Sequence, residues 1–381
     1  MMRALRILHI ASGDLWAGAE VQIFTLVSHL VRMPHTEVAV ALLNDGVLAA
    51  KLRSAGIHVY VVDEQRIGSV GILCRLRGVL KIWRPDVVHT HRVKENILGA
   101  VANRLSLDVP CVRTTHGGNE LRFGWDARSI VNRTIFELDQ WCGRTLQKRV
   151  VAVSEQLGRE LVTSFGDKKV VVIENGIDVV SVRSQCGVAE FRVADPSIVH
   201  IGIIGRLVHV KRVDIFMEMV ALLKKDRQCR NWRFHVFGDG PLRPMLQEFA
   251  SRLGVSDCVT FHGHREDIVS CMGGLDVLVN CSDHEGMPMT ALEASALGVP
   301  LVAHAVGGVT SVAPQEFLVF KHDAAGYSEG VLRALRPDGR SITKDKAASI
   351  LEKFSAYRNA CKVRLLYEQL VEEEIVEENN R

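Results

Sequence analysis

The sequence predicts an α/β protein with two doubly wound domains, each built around a parallel sheet. Short β-branched runs alternate with helical stretches, a pattern typical of parallel sheets covered by helices. The runs form two series, separated by Asn175–Pro196, a stretch of mixed polarity with an Asn-Gly turn signal. A length of 381 residues also leaves room for two domains of ordinary size.

The first series predicts the strands of an N-terminal domain, residues 1–180, and the second those of a C-terminal domain, residues 181–355. Most runs are apolar throughout, as expected for strands buried on both faces. The predicted strands are Arg6–Ile10, Glu37–Leu43, Ile57–Val62, Asp86–His91, Val109–Thr115, Arg149–Val153 and Val170–Ile173, then Val199–Ile204, Trp232–Phe237, Val259–His262, Leu275–Cys281, Pro300–Val306 and Phe317–Phe320. The last helices are predicted between Lys344 and Val376.

Charge and cysteine usage narrow the class of protein. The net charge of +3 does not indicate a nucleic-acid binder. Residues 1–180 carry +5 and the remainder −2, so the first half is expected to meet something anionic. Nine scattered cysteines without a C-x-x-C pair predict reduced thiols. With no signal-peptide pattern and no run of about 18 apolar residues, the expected location is the cytoplasm.

The segment Ser282–Pro300 carries two candidate carboxylates. It holds a predicted helix that follows a strand and ends at Gly298. Glu285 falls in the turn before this helix, and Glu293 falls at the edge of its apolar face, where a carboxylate is costly to bury without a donor. Taken singly, a solvated Glu285 or an arginine-paired Glu293 is the simpler interpretation.

The start of the same helix predicts an anion site. Its backbone N–H groups lie at the positive end of the helix dipole, and proline is favoured in a first turn. The site would lie at the carboxyl end of a strand, where open α/β sheets bind ligands. The residues concerned are Gly286, Met287, Pro288 and Met289.

Basic residues and glycines follow other strands of the second series. Arg206 and Lys211 flank a strand-to-helix turn, and such a pair suits a diphosphate, although two solvated cations would have the same spacing. Their neighbour Arg212 is expected to be solvated. Gly238, in a Gly-Asp-Gly-Pro turn, and Arg265, in a His-Gly-His-Arg turn, close two further strands.

Two loops of the first series are also candidates. Gly18 lies in a glycine-containing turn after the first strand, where backbone can approach a phosphate or sugar closely. His116 ends a strand and is followed by two glycines, whereas His89 is expected to be structural. No carboxylate or cysteine has helpful spacing, so no metal site is predicted at these histidines.

The E-x7-E pattern followed by A-x-x-x-G-x-P resembles the signature of the family 4 glycosyltransferases of the GT-B superfamily. Between about Ile7 and Leu370 six motifs similar to those of the family occur in order: W-A-G-A-E, T-x-H, G-R-x4-K, G-D-G-P, H-G-H-R and E-x7-E. The resemblance implies two Rossmann-like domains facing a central cleft. It also implies that residues 356–381 form a helix crossing back to the first domain.

The resemblance assigns roles to the candidate residues. Arg206 and Lys211 would bind the diphosphate, and Glu293 the ribose. Glu285 and His116 would contact the reacting sugar. Arg265 would contribute backbone to base binding, and Gly238 would bring backbone near the nucleotide.

The implied activity is retaining transfer of a hexosyl or N-acetylhexosaminyl group from a nucleotide diphosphate sugar, UDP-linked, to a glycan or glycolipid. The setting would be cell-surface polysaccharide or lipopolysaccharide synthesis, with the acceptor on the first domain. The sequence contains no Asp-x-Asp, so neither a metal nor another cofactor is expected.

Two alternatives remain open at this point. A nucleotide-sugar 2-epimerase shares the GT-B fold but needs no acceptor, and the E-x7-E pattern favours transfer over it. The second alternative is a non-catalytic subunit that binds a nucleotide sugar. Gly307-Gly308 is followed by Val309-Thr310-Ser311 without the family's usual acid, which favours this alternative, whereas intact Arg206 and Lys211 oppose it.

A basic helix in the first domain predicts membrane contact as an alternative to an ordinary surface helix. Helix Gly68–Trp83 can place Leu73, Leu76, Leu80 and Trp83 on one face. Its flanks carry the cations Arg75, Arg77 and Lys81. Such a helix would bring the domain, as a peripheral protein, to an anionic membrane surface.

Overall fold

The computed structural model describes residues 3–13, 16–117, 127–194, 197–229 and 231–379. The chain divides into two compact units. Unit 1 comprises Met1–Gly176 and Ala356–Arg381, and unit 2 comprises Ile177–Ser355.

Thirteen strands are present in the described residues. They are β1 Leu5–Ala11, β2 Thr36–Leu42, β3 His58–Val61, β4 Val87–Thr90, β5 Cys111–Thr115, β6 Arg149–Ala152 and β7 Val170–Val172 in unit 1, and β8 His200–Ile204, β9 Arg233–Phe237, β10 Val259–Gly263, β11 Val277–Asn280, β12 Leu301–His304 and β13 Leu318–Val319 in unit 2. Each coincides with a predicted strand to within a few residues.

Sixteen α-helices occur in the same parts of the chain. They are α1 Gly18–Leu30, α2 Val47–Ser54, α3 Ser69–Trp83, α4 Val93–Arg104, α5 Ala127–Thr145, α6 Glu155–Phe165, α7 Val179–Gln185, α8 Glu190–Ala194, α9 Val213–Leu223, α10 Arg243–Arg252, α11 Ile268–Gly273, α12 Met289–Leu297, α13 Val309–Val312, α14 Ala324–Ala334, α15 Gly339–Lys353 and α16 Ala356–Asn379.

Each unit contains one parallel sheet. The strand order is β3-β2-β1-β4-β5-β6-β7 in unit 1 and β10-β9-β8-β11-β12-β13 in unit 2. The order reverses between β1 and β4 in the first sheet, and between β8 and β11 in the second. The prediction of two Rossmann-like, doubly wound sheets is confirmed. Loops that follow the two strands at such a reversal are the usual ligand sites of these sheets.

Helices cover both faces of the unit 1 sheet, which explains why its strands are apolar throughout. Ile7 and Leu8 of β1 are adjacent in sequence and both fully buried, but they belong to different hydrophobic clusters. Ile7 packs with residues of α1, α2 and α16, and Leu8 with residues of α3 and α4. A strand packed on both faces carries no alternation of polar and apolar residues.

The stretch Asn175–Pro196 is not a simple linker, contrary to the prediction. It contains α7 and α8, which belong to unit 2. Asp178 caps α7 by accepting a hydrogen bond from the Ser181 N–H at 3.0 Å. Phe191 of α8 stacks on His235 of β9, with ring centroids 4.4 Å apart. Capping and this distant stacking partner order the segment despite its mixed polarity.

Helix α3 turns its predicted apolar face to the core, so that face cannot contact a membrane. Leu76 and Leu80 are fully buried, and Leu73 and Trp83 pack against the same cluster. The Trp83 indole N–H also donates to the Ile7 carbonyl at 3.2 Å. The prediction of a membrane-facing apolar stripe was wrong in this respect, because the stripe covers the sheet.

The exposed side of α3 has a different composition. Val70 and Ile82 are exposed there, as are the cations Arg75 and Lys81. Arg77 is half-buried. No helix of the described residues is both long and apolar enough to cross a bilayer.

Helix α16 completes the core of unit 1. Tyr367 and Leu370 are fully or almost fully buried and pack in the cluster that contains Ile7. The Asn359 side chain accepts a hydrogen bond from Gln22 of α1 at 3.2 Å and donates one to the Glu174 carbonyl at 2.7 Å. The last residues of the chain therefore belong structurally with its first half.

Candidate active site

The loops after β8 and β11 meet at the strand-order reversal of the unit 2 sheet. Lys211 ends a short 3-10 helix, His209–Lys211, that follows β8, and Glu285 lies between β11 and α12. The Asp283 N–H donates to the Val210 carbonyl at 2.9 Å, which ties the two loops together. As a result Lys211 Nζ lies 2.7 Å from Glu285 Oε1.

Glu285 is held by three donors on one oxygen. Its Oε1 accepts hydrogen bonds from Lys211 Nζ at 2.7 Å, Ser282 Oγ at 2.7 Å and Asn280 Nδ2 at 3.1 Å. The side chain is only 9% exposed, so it is not the solvated loop residue of the simpler interpretation. No hydrogen bond to its Oε2 occurs within the described residues. The carboxylate is fixed through one oxygen, and the other oxygen is an unused hydrogen-bond acceptor among these residues.

Gly307 and Gly308 pack against the Glu285 loop. The Gly308 N–H donates to the Gly286 carbonyl at 2.6 Å. Gly307 has φ of +55°, and a Cβ there would lie 1.8 Å from the Glu285 carbonyl oxygen. The close backbone approach that glycine allows is made here to the loop itself. These glycines thus fix the backbone that carries Glu285.

Helix α12 begins directly after this loop and buries Glu293. Pro288 is the N-cap residue rather than part of the first turn, and Gly298 ends the helix with φ of +71°. Gly286, Met287 and Met289 lie around the helix start as predicted.

The Glu293 carboxyl has no hydrogen-bond partner among the described residues, so the arginine pair of the simpler interpretation is absent from them. Its burial raises the pKa to about 7. Because no described residue donates to this carboxyl, burial favours its protonated form over the ionised form.

Arg206 belongs to the same segment after β8 as Lys211 but has a different environment. Its guanidinium is exposed and has no ion-pair or hydrogen-bond partner within the described ranges. A Cβ at Gly238, where φ is +123°, would lie 2.0 Å from the Gly205 carbonyl oxygen. Gly238 is therefore required for packing β9 beside the loop that carries Arg206.

Arg265 in unit 2 and Gly18 in unit 1 are candidates through their backbone groups rather than their side chains. Arg265 binds Asp267 through two of its nitrogens, at 2.7 and 2.8 Å, so its side chain is already engaged. Gly18 is the exposed first residue of α1. The turn before it is held by the Ala17 N–H, which donates to Glu20 at 3.2 Å. The turn residues at positions 14 and 15 lie outside the described residues.

His116 lies just after β5 in unit 1 and is part of a group of stacked imidazoles. Its Nε2 lies 3.2 Å from Nδ1 of His91. Burial, and to a lesser degree the charge of Arg92, lowers the His116 pKa to about 3. The imidazole is therefore neutral at physiological pH and acts through hydrogen bonds rather than charge.

His9, His89 and His91 were not predicted to act together. All three are buried, and their ligand atoms lie within 4.8 Å of one another, an arrangement that a metal ion could also use. The same ring nitrogens form hydrogen bonds with each other and with Thr114 and Tyr367. A histidine inside the apolar run of β1 is the sequence signal that could have indicated the group.

Arg212 and Glu95 were also missed. Arg212, expected to be solvated, binds Asp283 at 3.2 Å and Asp214 at 2.9 Å, and thereby supports the loop that contains Glu285. Glu95 is buried at the strand-order reversal of unit 1, where Ser12 donates to one of its oxygens. Burial raises its pKa. Neither residue belongs to a recognised motif, and the fold brings Arg212 to Asp283 and Glu95 to Ser12.

Two family models match this chain. The model for Glycosyltransferase Family 4 matches residues 16–181, and the model for Glycosyl transferases group 1 matches residues 198–337. The matched ranges contain the strand-order reversal of unit 2 and all the candidate residues. The chain belongs to the family 4 glycosyltransferases of the GT-B superfamily. The Lys211–Glu285 pair of this glycosyltransferase lies within residues 198–337, the second matched range.

Relatives of this glycosyltransferase are similar over most of its length. UDP-Gal:alpha-D-GlcNAc-diphosphoundecaprenol alpha-1,3-galactosyltransferase of Escherichia coli is 26% identical over 345 residues, covering 82% of this chain and 86% of its own. D-inositol 3-phosphate glycosyltransferase of Streptomyces scabiei is 29% identical over 340 residues, covering 82% and 73%. The crystal structure of Anabaena HepE in complex with UDP-glucose is similar to this structure with a TM-score of 0.81 at 19% sequence identity. The match covers 96% of this chain and 100% of the HepE chain.

Proposed function

We propose that this glycosyltransferase moves a hexosyl or N-acetylhexosaminyl group from a UDP-linked sugar to a glycan or lipid-linked acceptor, with retention at the anomeric carbon. The observation that carries the proposal is the Lys211–Glu285 contact at the strand-order reversal of unit 2, beside the start of α12. The cation of Lys211 and the fixed carboxylate of Glu285 lie near the N-terminus of α12. These are the groups needed to bind a diphosphate and the sugar attached to it.

The leaving diphosphate gains negative charge as the glycosidic bond breaks. Arg206 is exposed and available, and the Lys211 ammonium has three N–H donors, of which Glu285 takes one. Together with the N–H groups at the start of α12, these cations stabilise the developing charge. The mechanism therefore uses no metal ion. No carboxylate nucleophile is assigned, so in this proposal retention results from attack by the acceptor hydroxyl on the face of the sugar that the leaving phosphate occupies.

The two glutamates have separate tasks in this proposal. Glu285, held by one oxygen, directs the other to the reacting sugar. Glu293 gains hydroxyl donors from the ribose, which favour its ionised form over the protonated form that burial favours in the free protein. Nucleotide binding and carboxyl ionisation are then coupled.

The choice of donor and acceptor rests on the relatives. HepE was crystallised with UDP-glucose, and the Escherichia coli relative is named for UDP-galactose and a diphosphoundecaprenol-linked acceptor. By analogy we assign the present chain to cell-surface polysaccharide or lipopolysaccharide synthesis in the cytoplasm. The exposed cations Arg75 and Lys81 of α3 support peripheral contact with an anionic membrane surface.

A panel of nucleotide sugars tests the proposal. Thermal stabilisation by UDP and by one UDP-sugar is expected in the wild type and is lost in Arg206→Ala. Mass analysis with lipid-linked and free glycan acceptors should then detect one added sugar. Stabilisation by no nucleotide sugar, or interconversion of the donor sugar without an acceptor, would refute transfer.

A further inference from the structure

An unbroken series of hydrogen bonds runs through the core of unit 1 and ends at His116. We call it the histidine chain. Its links, in order, are Thr114 Oγ1 to His89 Nε2 at 2.7 Å, His89 Nδ1 to the Tyr367 hydroxyl at 2.5 Å, that hydroxyl to His9 Nε2 at 3.5 Å, His9 Nδ1 to His91 Nε2 at 2.9 Å, and His91 Nδ1 to His116 Nε2 at 3.2 Å.

The protons of the histidine chain must all point the same way. Burial lowers the pKa of each of its four imidazoles, so every ring is neutral and has one N–H and one lone pair. If one ring nitrogen donates, the other nitrogen of that ring must accept. Only two arrangements satisfy every link: all protons directed toward His116, or all directed away from it.

Tyr367 distinguishes the two arrangements. Its hydroxyl has one proton and lies between two imidazoles, so it donates to one and accepts from the other. A phenol is a stronger acid than a neutral imidazole, and it donates in the shorter link. That link is to His89 at 2.5 Å, whereas His9 is 3.5 Å away. His9 therefore donates from Nε2 to Tyr367, and the protons point away from His116.

The same direction fixes the state of His116. Its Nε2 carries the proton and donates to His91, which leaves the lone pair on Nδ1. No partner for Nδ1 occurs within the described residues, and the side chain is only partly buried. A lone pair accepts from a hydroxyl and repels a phosphate oxygen. His116 in this state selects sugar hydroxyls over the diphosphate.

We propose that the histidine chain, with Tyr367 as its positioning residue, holds His116 as a hydrogen-bond acceptor at Nδ1 for a hydroxyl of the sugar substrate. The identity of the ligand as a sugar rests on the function proposed above. The proton position on the His116 ring does not depend on that function. Tyr367 acts from α16 through the two imidazoles of His9 and His91, which separate it from His116.

Nuclear magnetic resonance of the 381-residue protein tests the state of the ring directly. In protein with ¹⁵N-labelled histidine, two-bond proton–nitrogen correlations report which ring nitrogen carries the proton. The His116 signals are assigned by their loss in His116→Gln. At neutral pH the proton is expected on Nε2 of His116, and a proton on Nδ1 would overturn the proposal.

Two variants test whether the histidine chain sets this state. Tyr367→Phe leaves the His9 Nε2–H without an acceptor, and Thr114→Val does the same to the His89 Nε2–H. A buried N–H without a partner is rarer and more costly than an unpaired acceptor, so both changes should reverse the protons. The His116 proton is then expected to move to Nδ1. An unchanged proton position in both variants would refute control by the histidine chain.

Tyr327→Phe is the matched control. Tyr327 is also a fully buried tyrosine, and its hydroxyl bonds a histidine, His322 Nδ1 at 2.9 Å, but it lies in unit 2. The control should leave the His116 signals in place. EDTA should also leave them unchanged, since a response to chelation would show that a metal at His9, His89 and His91 orders the rings instead.

Enzyme kinetics test whether the state of the His116 ring affects the reaction of the substrate. In Tyr367→Phe, kcat/KM for the sugar nucleotide is expected to fall about tenfold, the effect of losing one neutral hydrogen bond. If the ring state is as expected but no nucleotide sugar is turned over, the proposed function fails and the assignment of the ring stands. If transfer occurs with the His116 proton on Nδ1, the inference fails and the function stands.

Discussion

Lys211 and Glu285 are 74 residues apart in the sequence, yet their side chains form a 2.7 Å ion pair in which the carboxylate is 9% exposed and the lysine 27%. Both residues were predicted to serve a ligand, and the alternative for Lys211 was a solvated cation. The structure excludes that alternative, because Lys211 is paired with Glu285. The lysine compensates the largely buried charge of Glu285, so its substitution should affect stability as well as activity.

Lys211→Ala is expected to lower both turnover and melting temperature. Loss of one donor to a developing oxyanion typically costs about 3 kcal/mol, so kcat/KM should fall at least tenfold. The melting temperature should fall because Glu285 loses its cation while remaining buried. Lys224→Ala, which breaks the more exposed Lys224–Asp257 pair, is the control and should change neither value much.

Arg206→Ala should separate activity from stability. The guanidinium is exposed and without a partner in the described parts of unit 2. We therefore expect a loss of at least tenfold in kcat/KM with an unchanged melting temperature, measured beside the exposed Arg227→Ala. Full activity in both Lys211→Ala and Arg206→Ala would refute the diphosphate assignment.

Glu293→Gln tests the pKa of the buried carboxyl. Because the folded-state pKa is about 7 and so above the unfolded value, the contribution of Glu293 to stability is full below the unfolded pKa and is lost as pH rises through 7. The neutral amide removes this loss. Relative to wild type, the variant should gain melting temperature from pH 5 to pH 8.

The exposed Glu248→Gln should show no such pH-dependent gain. UDP affinity of Glu293→Gln should fall, because the amide cannot ionise to bind the ribose hydroxyls. A wild-type-like stability profile together with wild-type UDP affinity would contradict both roles of Glu293.

Turnover should persist in excess EDTA. The proposed mechanism places positive charge on the diphosphate through Arg206, Lys211 and the start of α12, without a metal ion. The measurement is the initial rate of sugar transfer with and without the chelator. Complete loss that Mg²⁺ or Mn²⁺ restores would show that the cations of the protein are insufficient.

Binding to anionic liposomes should depend on the exposed cations of α3. The double variant Arg75→Glu/Lys81→Glu is expected to weaken salt-sensitive flotation by roughly 1 kcal/mol for each cation removed. The charge-matched control is Lys225→Glu/Arg252→Glu, in unit 2. Equal recovery with anionic and neutral liposomes, or equal effects of both double variants, would leave α3 as an ordinary surface helix.

The strands could be predicted from the sequence because parallel strands are buried on both faces and read as continuous apolar runs. The start and end of α12 followed similarly from Pro288 and Gly298. Side-chain partners could not be predicted in this way. Tyr367 and His89 are separated by 278 positions, and no local pattern relates them.

Local sequence patterns also failed to predict which surface the apolar face of a helix packs against. The periodicity of α3 identified its apolar side correctly but could not tell a sheet from a membrane as the surface it covers. The segment from 175 to 196 lacked a long apolar run, yet Phe191 finds His235 on a strand that follows it by more than forty positions. Tertiary contacts decide such segments.

The position of α16 has a consequence for the order of folding during synthesis. Unit 2 is continuous in sequence, so its core is complete once Ser355 has left the ribosome. Unit 1 lacks Tyr367 and Leu370 until the last helix emerges, although its first strand is made at the start. Ribosome-bound chains in which Ser355 has emerged while Tyr367 is still inside the exit tunnel should therefore contain a protease-resistant unit 2 and a protease-sensitive unit 1, and the reverse pattern would disprove this order. Unit 2 would then fold before unit 1, and the histidine chain would form only after Tyr367 has emerged from the ribosome.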